Sequence, residues 1–193
     1  MAKNKKPVGE KLGRRRLKTR RPFRNKVFTL RVDRVKLPGG KRTETAYLER
    51  SDAVIIVPVT DNGEMILIRH YRHAIDAWEW EVPAGGWKGT RVESLKEAAR
   101  RELREETGGT CRALKHVGWF YSATSLTNER CQVFFARGVR LMNAPRRGPA
   151  ESLEIQVLPV AEALALVHAG KMKDGQCALA IFLCEPLLAG RRP

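Results

Sequence analysis

One segment, residues 93–108, constrains this chain more than any other because it combines a helix signal with clustered carboxylates. It reads E-x7-R-E-L-x-E-E-x-G. On a helix, residues four apart lie one above the other, so Glu102 and Glu106 share a face and Glu105 lies beside them. Carboxylates at this spacing repel one another and weaken an isolated helix. A divalent cation would offset the repulsion, since Mg2+ and Mn2+ prefer hard oxygen ligands.

The two ends of this helix are also marked in the sequence. Residues 94–97 (SLKE) have the form of a capping box. Leu95, Ala99 and Leu103 recur every four residues and form an apolar stripe suited to a core. Gly108 is placed to end the helix in a left-handed conformation. The alternative for this pattern is a solvated acidic helix that binds nothing.

The composition places the chain among ordinary globular proteins. Its 193 residues are 42% hydrophobic and 30% charged, which suits one domain with an appendage. No apolar stretch approaches the roughly 18 residues of a transmembrane helix. The four cysteines form no C-x-x-C pair and no zinc-ligand pattern with the four histidines, so they are interpreted as reduced thiols of a cytoplasmic protein.

The net charge of +16 is concentrated at the N-terminus. Residues 1–26 contain twelve lysines and arginines and only one acidic residue. Such a segment lacks the apolar surface needed to fold alone, so residues 1–26 are predicted to be a disordered basic tail. The tail would be able to contact nucleic acid non-specifically. Contact with acidic membranes or ribosomes, or a solvated arm with no partner, are the alternatives.

The remaining sequence predicts strands framed by helices. Residues 27–50 are expected to form N-terminal strands, with residues 27–32 and 43–48 paired as a hairpin across Pro38-Gly39-Gly40. Residues 51–190 are expected to form the main domain. Its predicted strands cover residues 53–59, 65–68, 79–82, 113–121, 132–136 and 153–158. One later helix is predicted to begin at Pro159, and a final helix is predicted at residues 175–188. This order predicts an α/β sandwich of layers.

Around the acidic segment, further stretches carry a family resemblance. They are ILIRHYRHA at residues 66–74, WEVPAG at 80–85, GWFY at 118–121 and Asn128-Glu129. With them, residues 26–188 resemble the ADP-ribose pyrophosphatase branch of the Nudix hydrolases. The resemblance implies a Nudix-type α/β/α sandwich with a mixed sheet. It also implies a homodimer in which residues 27–48 pack across the partner.

The same resemblance implies a metal site on the acidic helix. Glu102 and Glu106 would bind Mg2+ or Mn2+ together with the backbone carbonyl of Ala84. Glu105 would be a further ligand, directly or through water. Arg101 would pair with one of these carboxylates and orient it.

The resemblance also implies a set of substrate contacts. Arg72 and Glu129 match positions that hold the substrate in this branch, and Glu81 and Gly86 are added to that set. Glu93 is expected to brace the neighbouring loop rather than to touch metal.

A general base is needed outside the acidic helix, and the branch often takes it from an acidic loop. Residues 148–155 fit this description. Glu151 is the predicted base in preference to Glu154, because Glu154 lies inside a strand pattern. The alternative is that both are ordinary surface charges.

Two departures from the family pattern bear on the substrate. Trp87 stands where a glycine normally opens the motif, and the loop at residues 86–90 is about two residues longer. Residues 122–127 lack the S-P-G-like turn that is usual in ADP-ribose hydrolases, and no proline stands there. ADP-ribose and another sugar nucleotide, such as GDP-mannose, therefore both remain open as substrates.

The function predicted from the sequence is metal-dependent hydrolysis of a nucleoside diphosphate sugar to nucleoside monophosphate and sugar phosphate. One alternative is an RNA 5′-end pyrophosphohydrolase that holds its transcript with residues 1–26. The other is a non-catalytic nucleotide sensor. The intact carboxylate set argues against the sensor, since a pure binder has no need of a repulsive cluster.

Overall fold

The computed structural model describes residues 7–87, 93–144 and 152–189, which form two compact units. The first unit contains the described residues up to Arg50 together with Tyr121–Glu129. The second contains the described residues from Ser51 to Phe120 and from Arg130 onward. The predicted base Glu151, and part of the long loop at residues 86–90, lie outside the described ranges.

Four α-helices, a single 3-10 turn and ten strands follow one another along the described chain. They are α1 (Val8–Lys11), β1 (Arg15–Arg24), β2 (Thr29–Lys36), β3 (Arg42–Glu49), β4 (Ala53–Val59), β5 (Glu64–Arg72), a 3-10 turn (His73–Ile75), β6 (Ala77–Glu81), β7 (Ala84–Gly86), α2 (Leu95–Thr107), β8 (Gly109–Tyr121), β9 (Arg130–Leu141), β10 (Leu153–Pro159), α3 (Val160–His168) and α4 (Gly175–Leu188).

The first unit is organised around a three-stranded antiparallel sheet in the order β1–β2–β3. Strands β2 and β3 pair without interruption from Thr29 opposite Glu49 to Lys36 opposite Arg42. This register confirms the predicted N-terminal hairpin.

The expected disorder of residues 1–26 is wrong for Arg15–Arg24, which form strand β1 along β2. The composition of this segment does not show the pairing that orders it. Strand β2 supplies backbone partners for β1, and carboxylates of β3 accept hydrogen bonds from the arginines of β1. Arg20 contacts Glu44 at 3.0 Å, and Arg21 contacts Glu49 at 2.7 Å. A basic strand is thus ordered by neighbours that come later in the chain.

The second unit contains a mixed sheet in the order β10–β5–β4–β9–β8, with β6 beside β5 and β7 beside β4. Strands β4 and β9 are parallel, whereas β10 and β5 are antiparallel. The central strand β4 is buried over nearly its whole length, which explains its unbroken apolar sequence AVIIVPV.

Alternate side chains of β4 face two different helical layers. Ile55, Val57 and Val59 share a core cluster with residues of α3 and α4. Val54 and Ile56 belong to a second cluster with residues of α2. The unit is therefore an α/β/α sandwich, as predicted, and the second cluster anchors the acidic helix to the sheet.

Sequence patterns located most elements but not all their bounds. Helix α4 has the predicted range, whereas β9 runs from Arg130 to Leu141 instead of covering residues 132–136. Pairing with β4 continues through Arg137 of β9, where the apolar pattern is broken. No helix among the described residues is long and apolar enough to cross a membrane.

Candidate active site

Helix α2 begins and ends where its capping signals predict. The Glu97 carboxylate accepts a hydrogen bond from the Ser94 backbone N–H at 2.6 Å, and the Ser94 hydroxyl accepts one from the Glu97 N–H at 3.3 Å. Gly108 closes the helix with a φ of 69°. The apolar residues on the buried side of the helix include Ala98, Ala99 and Leu103. With that side fixed to the sheet, the carboxylates are held at the edge of the core.

Glu102 is the buried carboxylate of this helix, with 8% of its surface exposed. Burial raises the pKa of Glu102 above the usual glutamate value, and the hydrogen bond from Arg101 opposes this only in part. The carboxyl group lies directly against Gly85 of β7, where a methyl side chain would overlap it. Glycine at this position therefore lets the strand backbone reach the carboxylate.

Arg101 joins the acidic residues of the motif to the strand beside them. Its guanidinium contacts Glu93 at 2.7 Å, Glu102 at 2.6 Å and Glu105 at 3.1 Å. It also donates to the Gly86 carbonyl oxygen at 3.1 Å. The hydrogen bonds to Glu93, and then those to the other carboxylates, raise the pKa of Arg101 further above its usual value. The guanidinium is thus permanently charged and fixes the relative positions of its partners.

The two remaining helix carboxylates are less enclosed. Glu106 accepts a hydrogen bond from the Ala84 backbone N–H at 3.0 Å, which ties the C-terminal half of α2 to β7. The Glu105 side chain is 42% exposed. Glu106 and Ala84 therefore meet where α2 packs against β7, and Glu105 is linked to the same place through Arg101.

Four glutamates of the motif lie near this junction. Glu93, Glu102 and Glu105 contact the Arg101 guanidinium, and Glu106 lies against the Ala84 backbone. Their oxygens are turned to different partners, and the described parts of the chain contain no group of three acidic, histidine or cysteine side chains gathered as a ready-made ion cage.

A second polar cluster surrounds Arg72 at the end of β5. Its guanidinium makes a two-pronged contact with Glu81 of β6 at 2.5 and 2.6 Å, and His70 lies 3.4 Å from the same carboxylate. Glu81 is only 3% exposed, whereas the Arg72 side chain is 47% exposed. Burial lowers the pKa of Arg72, but hydrogen bonding and the charge of Glu81 outweigh it and raise that pKa overall. The buried Glu81 carboxylate therefore holds the partly exposed Arg72 guanidinium in a defined orientation.

Glu129 belongs to the first unit and has a partner there. It is 3% exposed, and one carboxylate oxygen lies 3.2 Å from the Arg50 guanidinium. The adjacent Asn128 side chain accepts a hydrogen bond from the Arg50 backbone N–H at 3.0 Å. These contacts close the segment from Tyr121 to Glu129 onto the end of β3.

Of the two acidic residues considered for the base, Glu154 is described by the structure. It lies within β10, opposite Arg69 of β5, and its side chain is exposed. This agrees with its place in the predicted strand. Glu151 lies outside the described residues.

Trp87, which replaces the expected glycine, closes the start of the long loop. Its indole N–H donates to the Glu93 carbonyl oxygen at 2.8 Å, and its backbone N–H donates to the Asp52 carbonyl oxygen at 2.8 Å. The ring packs against the core cluster under α2. Trp78 and Trp119 are the more exposed tryptophans, at 41% and 49%.

Sequence reasoning assigned no role to two residues that shape these clusters. Gly85 admits the Glu102 carboxylate, and Asp52 binds Arg130 at 3.0 Å and Gln132 at 2.9 Å. Gly85 was visible in the sequence as part of the WEVPAG stretch. Asp52 carried no local signal, because its partners lie far along the chain.

A carboxylate-bearing helix packed on a glycine strand in an α/β/α sandwich defines the class of this protein. The NUDIX domain family matches residues 49–176, so the chain belongs to the Nudix family. It lies in the ADP-ribose pyrophosphatase branch and is a pyrophosphatase of the hydrolase class.

Several relatives support this placement. The chain is 32% identical over 160 residues to the ADP-ribose pyrophosphatase of Bacillus subtilis (strain 168), covering 82% of this chain and 85% of the relative. It is 32% identical over 165 residues to the ADP-ribose pyrophosphatase of Mycobacterium tuberculosis (strain ATCC 25618 / H37Rv), covering 85% and 79%. A crystal structure of an ADP compounds hydrolase has a TM-score of 0.78, is 26% identical and covers 92% of this chain and 95% of its own.

Proposed function

We propose that this protein hydrolyses the diphosphate bond of a nucleoside diphosphate sugar, either ADP-ribose or a related ADP- or GDP-sugar. The products would be a nucleoside monophosphate and a sugar phosphate. The observation that carries this proposal is the gathering of helix carboxylates where α2 meets β7, with Glu102 buried among them. The names of the relatives favour an ADP-containing substrate.

We propose Mg2+ or Mn2+ as the cofactor, held by Glu102, Glu105 and Glu106 beside the backbone of Ala84. The donor set fits, because carboxylate and carbonyl oxygens are the ligands these ions prefer. Burial makes the charge on Glu102 costly, so a nearby cation would stabilise it. When bound, such ions neutralise diphosphate oxygens and lower the pKa of an attacking water.

Arg101 acts in this proposal as a positioning residue. It holds Glu102 and Glu105 against each other despite their like charges, and it ties them to the Gly86 carbonyl oxygen. Glu93 accepts a hydrogen bond from the Nε–H of Arg101 and so fixes the orientation of the guanidinium. The predicted bracing role of Glu93 is consistent with these contacts.

Arg72, aimed by Glu81, is our candidate for binding a phosphate or ribose oxygen of the substrate. A guanidinium with one edge fixed by a buried carboxylate keeps further N–H groups for a second acceptor. Gly86 and Glu129 complete the proposed substrate set, Gly86 through its backbone and Glu129 through its carboxylate.

Glu151 remains our proposed general base. It would accept a proton from the attacking water once the substrate is bound. The strand position of Glu154 supports this choice, because a residue fixed by β10–β5 pairing has less freedom to approach the substrate.

We also propose a homodimer that works in the cytoplasm. The dimer follows from the resemblance to the branch, in which N-terminal strands pack across the partner. The compartment is supported by the cysteines, since all four are free thiols and three of them are buried.

The test is a substrate panel of ADP-ribose, ADP-glucose, GDP-mannose, a dinucleoside polyphosphate and triphosphate-ended RNA, each assayed with Mg2+ and with Mn2+. Glu106→Gln is run beside the native chain. Glu162→Gln is the matched control, because Glu162 is an exposed residue of α3 and the change in charge is identical.

We expect metal-dependent cleavage of a sugar nucleotide, a loss of about 100-fold or more in kcat for Glu106→Gln, and unchanged kcat for Glu162→Gln. Cleavage of RNA alone would overturn the substrate class. Nucleotide binding with no turnover on any substrate would replace the enzyme with a sensor.

A further inference from the structure

The register of the N-terminal sheet sorts its charges onto two faces. Residues paired across antiparallel strands lie on the same face of the sheet. Four rows therefore share one face, namely Arg15–Lys36–Arg42, Lys18–Arg34–Glu44, Arg20–Val32–Ala46 and Phe23–Leu30–Leu48. The first two rows and Arg20 are exposed to solvent throughout.

We define the basic face by its six cations: Arg15, Lys18, Arg20, Arg34, Lys36 and Arg42. Glu44 is the single carboxylate that the register places among them. It contacts Arg20 at 3.0 Å and Arg34 at 3.5 Å. Among the described residues, no carboxylate forms an ion pair with the other four cations.

The row Arg15–Lys36–Arg42 places three positive charges side by side across three strands. Neighbouring side chains in such a row have Cβ atoms about 5 Å apart, and like charges directly opposite destabilise a sheet. The fold thus bears an electrostatic cost at this face. A bound polyanion would remove that cost.

On the opposite face of the same sheet, arginines form ion pairs with carboxylates. There Arg31 contacts Asp33 at 2.9 Å and Glu49 at 2.7 Å, and Glu49 also binds Arg21. Thr19 adds a hydrogen bond to Asp33 at 2.6 Å. The other face of the sheet thus contains carboxylates that pair with its arginines. The excess of positive charge is therefore a property of the basic face and not of the whole sheet.

An aromatic ring lies on the basic face as well. Phe23 is paired with Leu30, which places it in the row beyond Arg20, and 51% of its surface is exposed. Its ring is 5.6 Å from that of Phe28, which supports it from one side. A flat, exposed ring next to a field of cations is suited to stack a base whose phosphates contact the arginines.

We infer that the basic face binds single-stranded nucleic acid. The cations match a phosphate backbone, and Phe23 matches an unstacked base. A duplex hides the faces of its bases in the helical stack and would leave Phe23 without a role. An anionic membrane would attract the same cations but offers no base to stack on Phe23.

This inference is independent of the proposed hydrolysis. Sugar nucleotides carry two phosphates and have no need of six cations spread over three strands. The nucleic acid would localise the enzyme or, if its end is also cleaved, present a substrate.

The experiment measures binding of the full chain to a fluorescent single-stranded RNA of about 15 nucleotides by anisotropy. A chelator is present so that no hydrolysis can occur. The affinity is measured between about 50 and 200 mM salt, because the slope of log K against log salt counts the phosphate contacts.

The test variant is Arg15→Gln/Lys18→Gln/Arg42→Gln. We expect its affinity to fall about tenfold at low salt and its salt slope to become shallower by roughly 2, from 0.7 per lost contact. The matched control is Lys115→Gln/Arg140→Gln/Lys171→Gln, which removes the same charge from exposed positions of the second unit. The control should keep the native slope.

Two further variants sharpen the assignment. Glu44→Gln removes the carboxylate among the cations and should tighten binding by a few fold. Phe23→Leu keeps an apolar side chain but removes the ring, and should weaken RNA binding about tenfold while leaving the salt slope unchanged. Thermal melts of each variant establish that the fold is retained.

Equal losses in the test and control triple variants would overturn the inference, since bulk charge would then explain the binding. A preference for duplex over single strands, or binding to anionic vesicles with no binding to RNA, would also overturn it. Because hydrolysis of sugar nucleotides is assayed separately with metal present, failure here leaves the proposed activity intact.

Discussion

The N-terminal sheet and helix α2 both rely on arginine–carboxylate pairs, yet they carry opposite excess charge. In the sheet, Glu44 and Glu49 are each shared by two arginines, and other cations have no ion pair among the described residues. At α2, three carboxylates share Arg101, so acids outnumber the cation in this described group of contacts. Paired charges therefore hold each region together. The charges left without a partner indicate a ligand of the opposite charge.

The largest effect is expected from Gly85→Ala, which attacks the acidic region through its backbone. The added methyl group would overlap the Glu102 carboxylate and displace that side chain from its place beside β7. We expect kcat for the sugar nucleotide to fall about 100-fold and the melting temperature to drop by several degrees. Steady-state kinetics and a thermal melt check both results.

Gly86→Ala provides the control, because nothing lies within 4 Å of a methyl group added there. It should behave like the native chain in stability. If both variants lost the same stability, the close approach of Gly85 to Glu102 would not be the cause.

Arg72→Lys is expected to have the next largest effect. Lysine keeps the charge but cannot form the two-pronged contact with Glu81, so Glu81 would no longer fix the direction of the cation. We expect KM to rise about tenfold with little change in kcat, as measured by initial rates over a range of substrate concentrations. A fall in kcat at unchanged KM would instead place Arg72 at the reacting phosphate.

The third prediction concerns the stability of the acidic region as a function of pH. Since burial raises the pKa of Glu102, the folded state holds its proton more tightly than the unfolded chain. The free energy of unfolding should therefore fall as pH rises from the usual glutamate pKa through the raised one. Without metal, Glu102→Gln should be more stable than the native chain above this window, by about 1 kcal/mol or more.

Thermal melts in a chelator from about pH 4 to pH 8 measure this difference. The gap between Glu102→Gln and the native chain should widen with pH and then level off. Added Mg2+ should close the gap by stabilising only the native chain. A gap that narrows with rising pH would contradict the assignment of Glu102 as a carboxylate with a raised pKa.

The smallest effect is expected in the N-terminal sheet. Hydrogen bonds from Arg21 and then Arg31 lower the pKa of Glu49, so its stabilisation is present at neutral pH and is lost as pH falls through its lowered pKa. Glu49→Gln should cost about 1 kcal/mol of unfolding free energy at neutral pH. Glu44→Gln should cost less, because both of its arginines are more than half exposed. Urea melts at neutral and acidic pH test the ranking, and equal costs would show that burial of Arg31 is unimportant.

Local patterns were sufficient where a structural element depends on its own sequence. The capping box at Ser94, the closing Gly108 and the apolar stripe through Leu103 predicted α2 within a residue. The unbroken apolar run of residues 53–59 predicted strand β4. In each case the governing interactions are between residues a few positions apart or follow from a simple period.

Local patterns failed where long-range pairing decides. The composition of residues 15–24 indicates disorder, yet β2 and the acids of β3 order them. Pairing with β4 continues as far as Arg137 of β9, and Asp52 gains its role from Arg130 and Gln132. No sequence window contains both partners of such contacts.

The sequence by itself determined that a helix would carry Glu102, Glu105 and Glu106 within reach of one another, because helical spacing is a local property. Only the tertiary structure decided that Glu102 would be buried against Gly85 and that Arg101 would hold the cluster. Likewise, the sequence determined the number of N-terminal cations, whereas strand register decided which of them share a face. Charge count is additive along a chain, but charge balance depends on which distant segments the fold brings together.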